Sequence, residues 1–177
     1  SWSLGAEARR SVRLTESRTV NEAAVNPVVT FPVDDGDAML RRVVVEDQKC
    51  FACHGEFSKG FSIHGNLRNR VEYCVLCHNP EETDFARRRN DPEAVAVGSP
   101  TASIDFKVLI HKIHRGEDLA WQPYDVYGFG PTPPGFTKFD FGEVLFSGDL
   151  RDCGECHANE TAFMPPFPGT SIGPIVA

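Results

Sequence analysis

Apolar residues stand three or four positions apart over residues 103–115, the most regular pattern in the chain. This spacing predicts an amphipathic helix. Ser103 is placed to cap its start, and Gly116 is placed to end it. His111 and His114 lie one helical turn apart, so we expect both imidazoles on the same side of the helix.

Clusters rich in Val and Thr occupy the first part of the chain, at residues 11–15, 28–31 and 43–45. Turn-forming residues separate them, so the pattern predicts two or three short strands. An extended arm that packs on the rest of the chain is the alternative. We expect residues 1–45 to be this β-rich or extended segment and residues 46–177 to be the main domain.

Two longer segments follow neither the helical nor the strand period. Residues 81–102 are polar and form a predicted connector, and residues 116–149 are rich in Gly, Pro and aromatic side chains. A loop that long needs a reason in a compact domain, and aromatic rings lying over a large ligand would supply one. A second aromatic and proline-rich run occupies residues 163–168.

The net charge of -7 excludes a strongly basic surface, so we expect no nucleic-acid partner. No apolar run approaches the roughly 18 residues that span a bilayer, and the first residues lack the layout of a signal peptide. These features predict a mature soluble protein or a piece of one. The hydrophobic fraction, 41%, is modest, and a cofactor could supply the missing apolar mass.

All six cysteines fall in three C-x-x-C-H motifs, the attachment signature of c-type haem. Two cysteines three positions apart on a short helical turn point the same way and can reach one porphyrin, and the following histidine lies beneath the iron. We therefore predict three haem c groups. Their thioether links would form at Cys50, Cys53, Cys74, Cys77, Cys153 and Cys156.

Zinc is the main alternative, because the first two cysteine pairs have zinc-ribbon spacing. A four-cysteine zinc site has no use for the histidine that follows each pair, and it leaves Cys153 and Cys156 without partners. Three disulfides would suit a secreted chain. However, a C-x-x-C pair within a helical turn is more typical of haem, metal or redox chemistry, so haem c is the favoured interpretation.

The chain has six histidines, which is two for each of three irons. The motif residues are the predicted proximal ligands: His54, His78 and His157. The remaining residues are the predicted distal ligands: His64, His111 and His114. The sequence does not say which distal histidine serves which iron, but we expect His111 and His114 to ligate two different, adjacent haems. Met39 and Met164, the other conceivable ligands, are predicted to pack. Arg87, Arg88 and Arg89 are predicted either to pair with haem propionates or to form a solvated charge run.

The chain resembles the OmcA/MtrC-type outer-membrane decahaem cytochromes over about residues 40–177. The resemblance is carried by the motif residues and their surroundings: Cys53-His54-Gly55-Glu56-Phe57, His64-Gly65 with Arg68, Cys74 to Pro80, Ile110 to His114 and Gly148 to His157. It implies that the six histidines take the proximal and distal roles given above. It also implies extracellular conduits that pass electrons to minerals, flavins or other acceptors. Relatives carry more haems, so we expect a reduced form or a fragment.

We therefore predict a multihaem c-type cytochrome in which short α-helices and long irregular loops pack around three haems, with a small β-rich N-terminal segment. It would be a low-spin electron carrier at the cell surface, outside the cell or in the periplasm. Expected partners are other redox proteins or cytochromes, flavin or metal-oxide acceptors, and copies of the chain itself. The alternatives are a haem-bearing subunit of a larger complex or conducting filament and, less favoured, a multihaem reductase, which needs an iron with an open coordination position.

Overall fold

The computed structural model describes residues 1–55, 61, 63–130 and 134–158. Short elements joined by irregular segments agree with the predicted architecture. The strands are β1 (Trp2–Gly5), β2 (Arg9–Arg13), β3 (Thr19–Ala23), β4 (Val28–Phe31), β5 (Asp125–Phe129) and β6 (Phe136–Asp140). The helices are α1 (Asp47–His54), α2 (Val71–Cys74), α3 (Phe85–Arg88), α4 (Pro92–Ala96) and α5 (Phe106–Arg115), with 3-10 turns at Gly116–Asp118 and Cys153–Glu155.

The described residues divide into two compact units. The first unit contains Ser1–Cys77 together with residues 153–158, and the second contains His78–Asp152. The first unit thus holds the first and third C-x-x-C-H motifs. The second motif crosses the division, because its cysteines belong to the first unit and His78 belongs to the second.

Two antiparallel strand pairs, β1 with β4 and β2 with β3, form the N-terminal part of the first unit. β2 and β4 overlap predicted clusters, whereas β1 and β3 were not predicted. The prediction of a strand at 43–45 was wrong, because the only pairing described there is the single bridge between Val45 and His157. Pairing across more than 100 residues cannot be read from a local pattern.

The β1–β4 sheet packs on α2 through Gly5. A Cβ atom at this position would lie 2.5 Å from Leu76 Cδ1 and 2.7 Å from the ring of Tyr73. A larger residue at position 5 would therefore require the side chains of Leu76 and Tyr73 to move. Asn26 and Asn69 add a second connection, because each donates its backbone N–H to the side-chain oxygen of the other, at 3.2 and 2.8 Å.

In the second unit, α5 begins at Phe106. The Asp105 carboxylate accepts a hydrogen bond from the backbone N–H of Lys107 at 3.1 Å and caps the helix. The predicted cap at Ser103 was therefore wrong, since Ser103 instead accepts from the N–H of Asp105. The predicted end at Gly116 is confirmed by its φ of 37°, a left-handed conformation that favours glycine.

The predicted loop 116–149 contains the β5–β6 hairpin, so that prediction was wrong for those strands. Many of the Gly and Pro residues that suggested a loop lie between the two strands in the sequence, while the rings of Tyr127 and Phe136 pack at 5.5 Å between centroids. The polar connector 81–102 also contains structure, namely α3 and α4. Within the described ranges, no helix is both long enough and apolar enough to cross a membrane.

Candidate haem sites

Each C-x-x-C-H motif lies on or beside a helical turn, as the cysteine spacing requires. α1 holds the first motif, α2 ends at Cys74, and the third motif begins in the 3-10 turn Cys153–Glu155. All six cysteines are thiols rather than disulfides. The described residues include no group of three or more His, Cys, Asp or Glu side chains arranged to hold a metal ion.

The third motif lies against the first within the first unit. His157 bridges Val45, just before α1, and the ammonium group of Lys49 on α1 donates to the carbonyl of Gly154. Residues 49 and 154 are 105 positions apart in the chain. The fold thus brings together two motifs that the sequence places far apart.

The first and second motifs are also joined, through Asp47. Its Oδ1 accepts the backbone N–H of Val71 at 2.8 Å, and its Oδ2 accepts from Arg70 Nη1 at 2.7 Å. Asp47 begins α1 and Val71 begins α2, so one carboxylate ties the starts of the two helices that carry these motifs.

Cys50 and Cys74, the first cysteines of the joined motifs, are partly buried, whereas Cys53 and Cys77 are exposed. Burial is the main cause that raises the pKa of both Cys50 and Cys74 to about 11, and the negative charge of Asp47 adds to it. Burial also raises the pKa of Cys156, with a contribution from Cys53. Neighbouring motifs are therefore close enough to influence one another.

Three of the predicted histidine ligands make the same hydrogen bond. In each of them, Nδ1 bonds to a backbone carbonyl oxygen. The distances are 2.7 Å from His78 Nδ1 to Ile104, 2.5 Å from His111 Nδ1 to Lys107, and 2.9 Å from His114 Nδ1 to Ile110. A carbonyl can only accept, so each Nδ1 carries the proton, and in a neutral ring the lone pair is then on Nε2. Haem and metal sites use this arrangement to orient an imidazole.

His64 lies in an unusual turn. His64, Gly65 and Asn66 have φ values of 54°, 73° and 63°, and the N–H of Arg68 returns to the carbonyl of Ile63 at 3.1 Å. A left-handed conformation costs a histidine roughly 1 kcal/mol or more, and such strain is often retained at functional positions. The turn leaves the His64 side chain at the surface.

Aromatic rings stand beside three of the predicted ligands, and the rings of His78 and Phe106 lie 6.4 Å apart. The rings of His54 and Phe61 lie 5.7 Å apart, and those of His114 and Phe146 lie 5.6 Å apart in an edge-to-face arrangement. Phe146 also lines an open cavity of about 460 Å³ at the C-terminal end of α5. Arg115 and Arg151 lie on the cavity wall together with the carboxylates of Glu117, Asp118 and Asp149, and Arg151 pairs with Asp149 at 2.8 Å.

The structure revises two predictions about other residues. Arg88 is buried and pairs with Asp84 at 2.6 Å, and the guanidinium of Arg87 lies 3.7 Å from the centroid of the Phe129 ring. Arg88 therefore belongs neither to a propionate-binding group nor to a solvated charge run. The pairing was not predicted, because Asp84 lies in the segment that was interpreted as a polar connector. Met39 is 78% exposed, so its predicted packing was wrong. Met164 and the run 163–168 lie outside the described residues.

No curated protein and no solved structure matches this chain. A family model described as "Outer membrane cytochrome MtrC/MtrF-like, domains II/IV" matches residues 42–167 and so includes all three motifs. Cytochromes of this type are haem-containing electron carriers that act outside the cytoplasm. This agrees with the three C-x-x-C-H motifs and with the resemblance to outer-membrane cytochromes noted in the sequence. The chain belongs to the MtrC/MtrF-like outer-membrane cytochrome family.

Proposed function

We propose that this chain carries electrons through three covalently attached haem c groups, each held by two histidines. The proximal ligands are His54, His78 and His157, and the distal ligands are His64, His111 and His114. The thioether links are those of Cys50, Cys53, Cys74, Cys77, Cys153 and Cys156. Haem supplies the one-electron chemistry, and the chain fixes the ligands, the spacing and the surrounding charge.

The observation that carries this proposal is the Nδ1 hydrogen bond that His78, His111 and His114 share. The bond sets the tautomer that an iron ligand needs and limits rotation of the ring. Two of these histidines bond back into their own helix, at the carbonyl four residues earlier. The imidazoles on α5 are therefore held in place by the helix itself.

The sparse apolar core also fits haem as a structural component. Among the residues that the structure describes, the buried hydrophobic side chains are Val75, Ala94, Tyr124, Val126 and Tyr127. α5 is strongly amphipathic, yet none of its residues is fully buried. Burial of apolar surface is the main favourable term in folding, and haem would add apolar surface for such side chains to cover.

The ligand set favours low reduction potentials. Histidine on both sides of the iron gives a lower potential than a histidine and methionine pair, and an excess of acidic side chains stabilises the ferric state. Donors and acceptors would be other extracytoplasmic cytochromes, flavins or metal oxides.

The haem count is tested by intact mass together with a pyridine haemochrome spectrum. We expect three haem c groups per chain and three low-spin ferric signals in the EPR spectrum. A different haem number would overturn the proposal. A large high-spin ferric signal would instead favour the reductase alternative, because it marks an iron with an open coordination position.

A second candidate role is as a subunit of a larger redox assembly. In the β1–β4 sheet, Trp2 pairs with Phe31 and Leu4 pairs with Val29, so these side chains share one face. All four are exposed, between 44% and 67%. An apolar surface of this kind often marks an interface. Light scattering and electron microscopy of the haem-loaded protein distinguish a monomeric carrier from an assembly of copies.

A further inference from the structure

Asp47 caps a helix to which it does not belong. The backbone N–H groups in the first turn of a helix need acceptors, and Arg70, at the cap position of α2, provides no side-chain acceptor. Asp47 on α1 supplies one, since its Oδ1 accepts the N–H of Val71 at 2.8 Å. Its Oδ2 pairs with Arg70 at 2.7 Å, and the side chain of Asp47 is only 17% exposed.

The first cysteine of each motif lies at the same distance along its helix from the residue that Asp47 contributes or contacts. Cys50 comes three residues after Asp47 on α1, and Cys74 comes three residues after Val71 on α2. The carboxylate is thus about one helical turn from the first cysteine of each motif. Its negative charge acts at both positions, because it adds to the effect of burial in raising the pKa of each thiol.

We propose that Asp47 is a positioning residue that fixes the spacing of the first two haem sites and lowers the reduction potentials of both together. This inference rests on the proposed function. A fixed negative charge in a partly buried site stabilises ferric iron, which carries one more positive charge than ferrous iron. A single carboxylate can therefore lower the potentials of two neighbouring haems together.

The third motif lies in a different electrostatic setting. The ammonium of Lys49, a positive charge, donates to the carbonyl of Gly154 in this motif. The hydrogen bonds of the Asp47 carboxylate go instead to Arg70 and Val71, beside the second motif. We therefore expect the third haem to respond least to a change at position 47.

The test is a spectroelectrochemical titration of haem-loaded D47N beside the wild-type protein. Asparagine keeps an acceptor for the N–H of Val71 but removes the charge. Two of the three midpoint potentials should rise, and D47E should return them toward the wild-type values. E46Q is the matched control, because Glu46 is exposed, precedes Asp47 and makes no cap hydrogen bond. It should shift the potentials less than D47N does.

The outcome is decided by comparing the variants. Loss of one haem from D47N alone, with recovery in D47E, supports the positioning role. Potentials in D47N that move no more than those in E46Q, or that move equally for all three haems, overturn the inference. Intact mass separates this failure from failure of the proposed function. Three attached haems with unshifted potentials in D47N contradict only the role of Asp47, whereas a haem number other than three in the wild-type protein contradicts the proposed function itself.

Discussion

The guanidinium of Arg88 forms a hydrogen-bonded ion pair with the carboxylate of Asp84, and both side chains are almost fully buried. Nε of Arg88 lies 3.1 Å from each carboxylate oxygen, and Nη2 lies 2.6 Å from Oδ2. The same carboxylate accepts the backbone N–H groups of Ala102 and Tyr127, at 2.9 and 3.0 Å. One buried ion pair therefore joins α3, the segment before α5, and strand β5.

Replacing Arg88 with glutamine should destabilise the second unit strongly. R88Q leaves the Asp84 carboxylate buried without its cation, which typically costs about 3–5 kcal/mol. Denaturant unfolding of the haem-loaded protein measures the loss. R89Q is the matched control, because Arg89 is exposed in the same run, and it should cost about 1 kcal/mol or less. Equal losses in both variants would contradict the importance of the buried pair.

Tyr124 offers a test by pH. Its hydroxyl is buried and has no hydrogen-bond partner among the described residues, and burial raises its pKa to about 12. The unfolded chain ionises Tyr124 near pH 10, whereas the folded chain holds the proton until about pH 12, so stability falls as pH rises between these values. The loss of unfolding free energy grows to about 2 kcal/mol at pH 11.5 and is complete only above about pH 12.

Y124F should remove this dependence and leave stability at pH 7 unchanged or slightly improved, because the variant no longer buries an unpaired hydroxyl. Unfolding free energies of both proteins, measured from pH 7 to 11.5, give the comparison. The difference between the two proteins isolates Tyr124 from other groups that titrate in this range. A constant difference across the range would show that Tyr124 does not hold its proton in this way.

His64 can be replaced without removing the turn that presents it. Asparagine tolerates a left-handed conformation, so H64N keeps the backbone of residues 63–68 and removes the imidazole. We expect one of the three haems to become high-spin, and EPR together with the visible spectrum measures this fraction. N66G changes the same turn without touching a predicted ligand and should leave all haems low-spin. A fully low-spin H64N protein would show that His64 is not a ligand.

Single and double replacements on α5 test whether His111 and His114 serve different haems. H111N and H114N should each convert one haem to high-spin, and the double variant should convert two. A double variant no different from either single variant would contradict separate ligation. K107Q on the same helix is the control. It changes only an exposed side chain and keeps the backbone carbonyl that accepts the hydrogen bond from His111 Nδ1.

The parts of this protein that could be predicted are local in the sequence. The C-x-x-C-H motifs and the helix around His111 each depend on residues within a few positions, and the family match covers all of them. Asp47 could not be identified as a link between motifs, because its partner at Val71 is 24 residues away and contributes only a backbone group. The burial of Arg88 could not be predicted, because the local sequence does not distinguish a buried arginine from the exposed arginines beside it.

The contact between the third motif and α1 has a consequence for the stability of the first unit. Lys49 and Gly154 are 105 positions apart, so the first unit is complete only when the two ends of a long loop have met. A haem held at the third motif would therefore stabilise α1 as well as its own site, because that motif supplies one side of the contact.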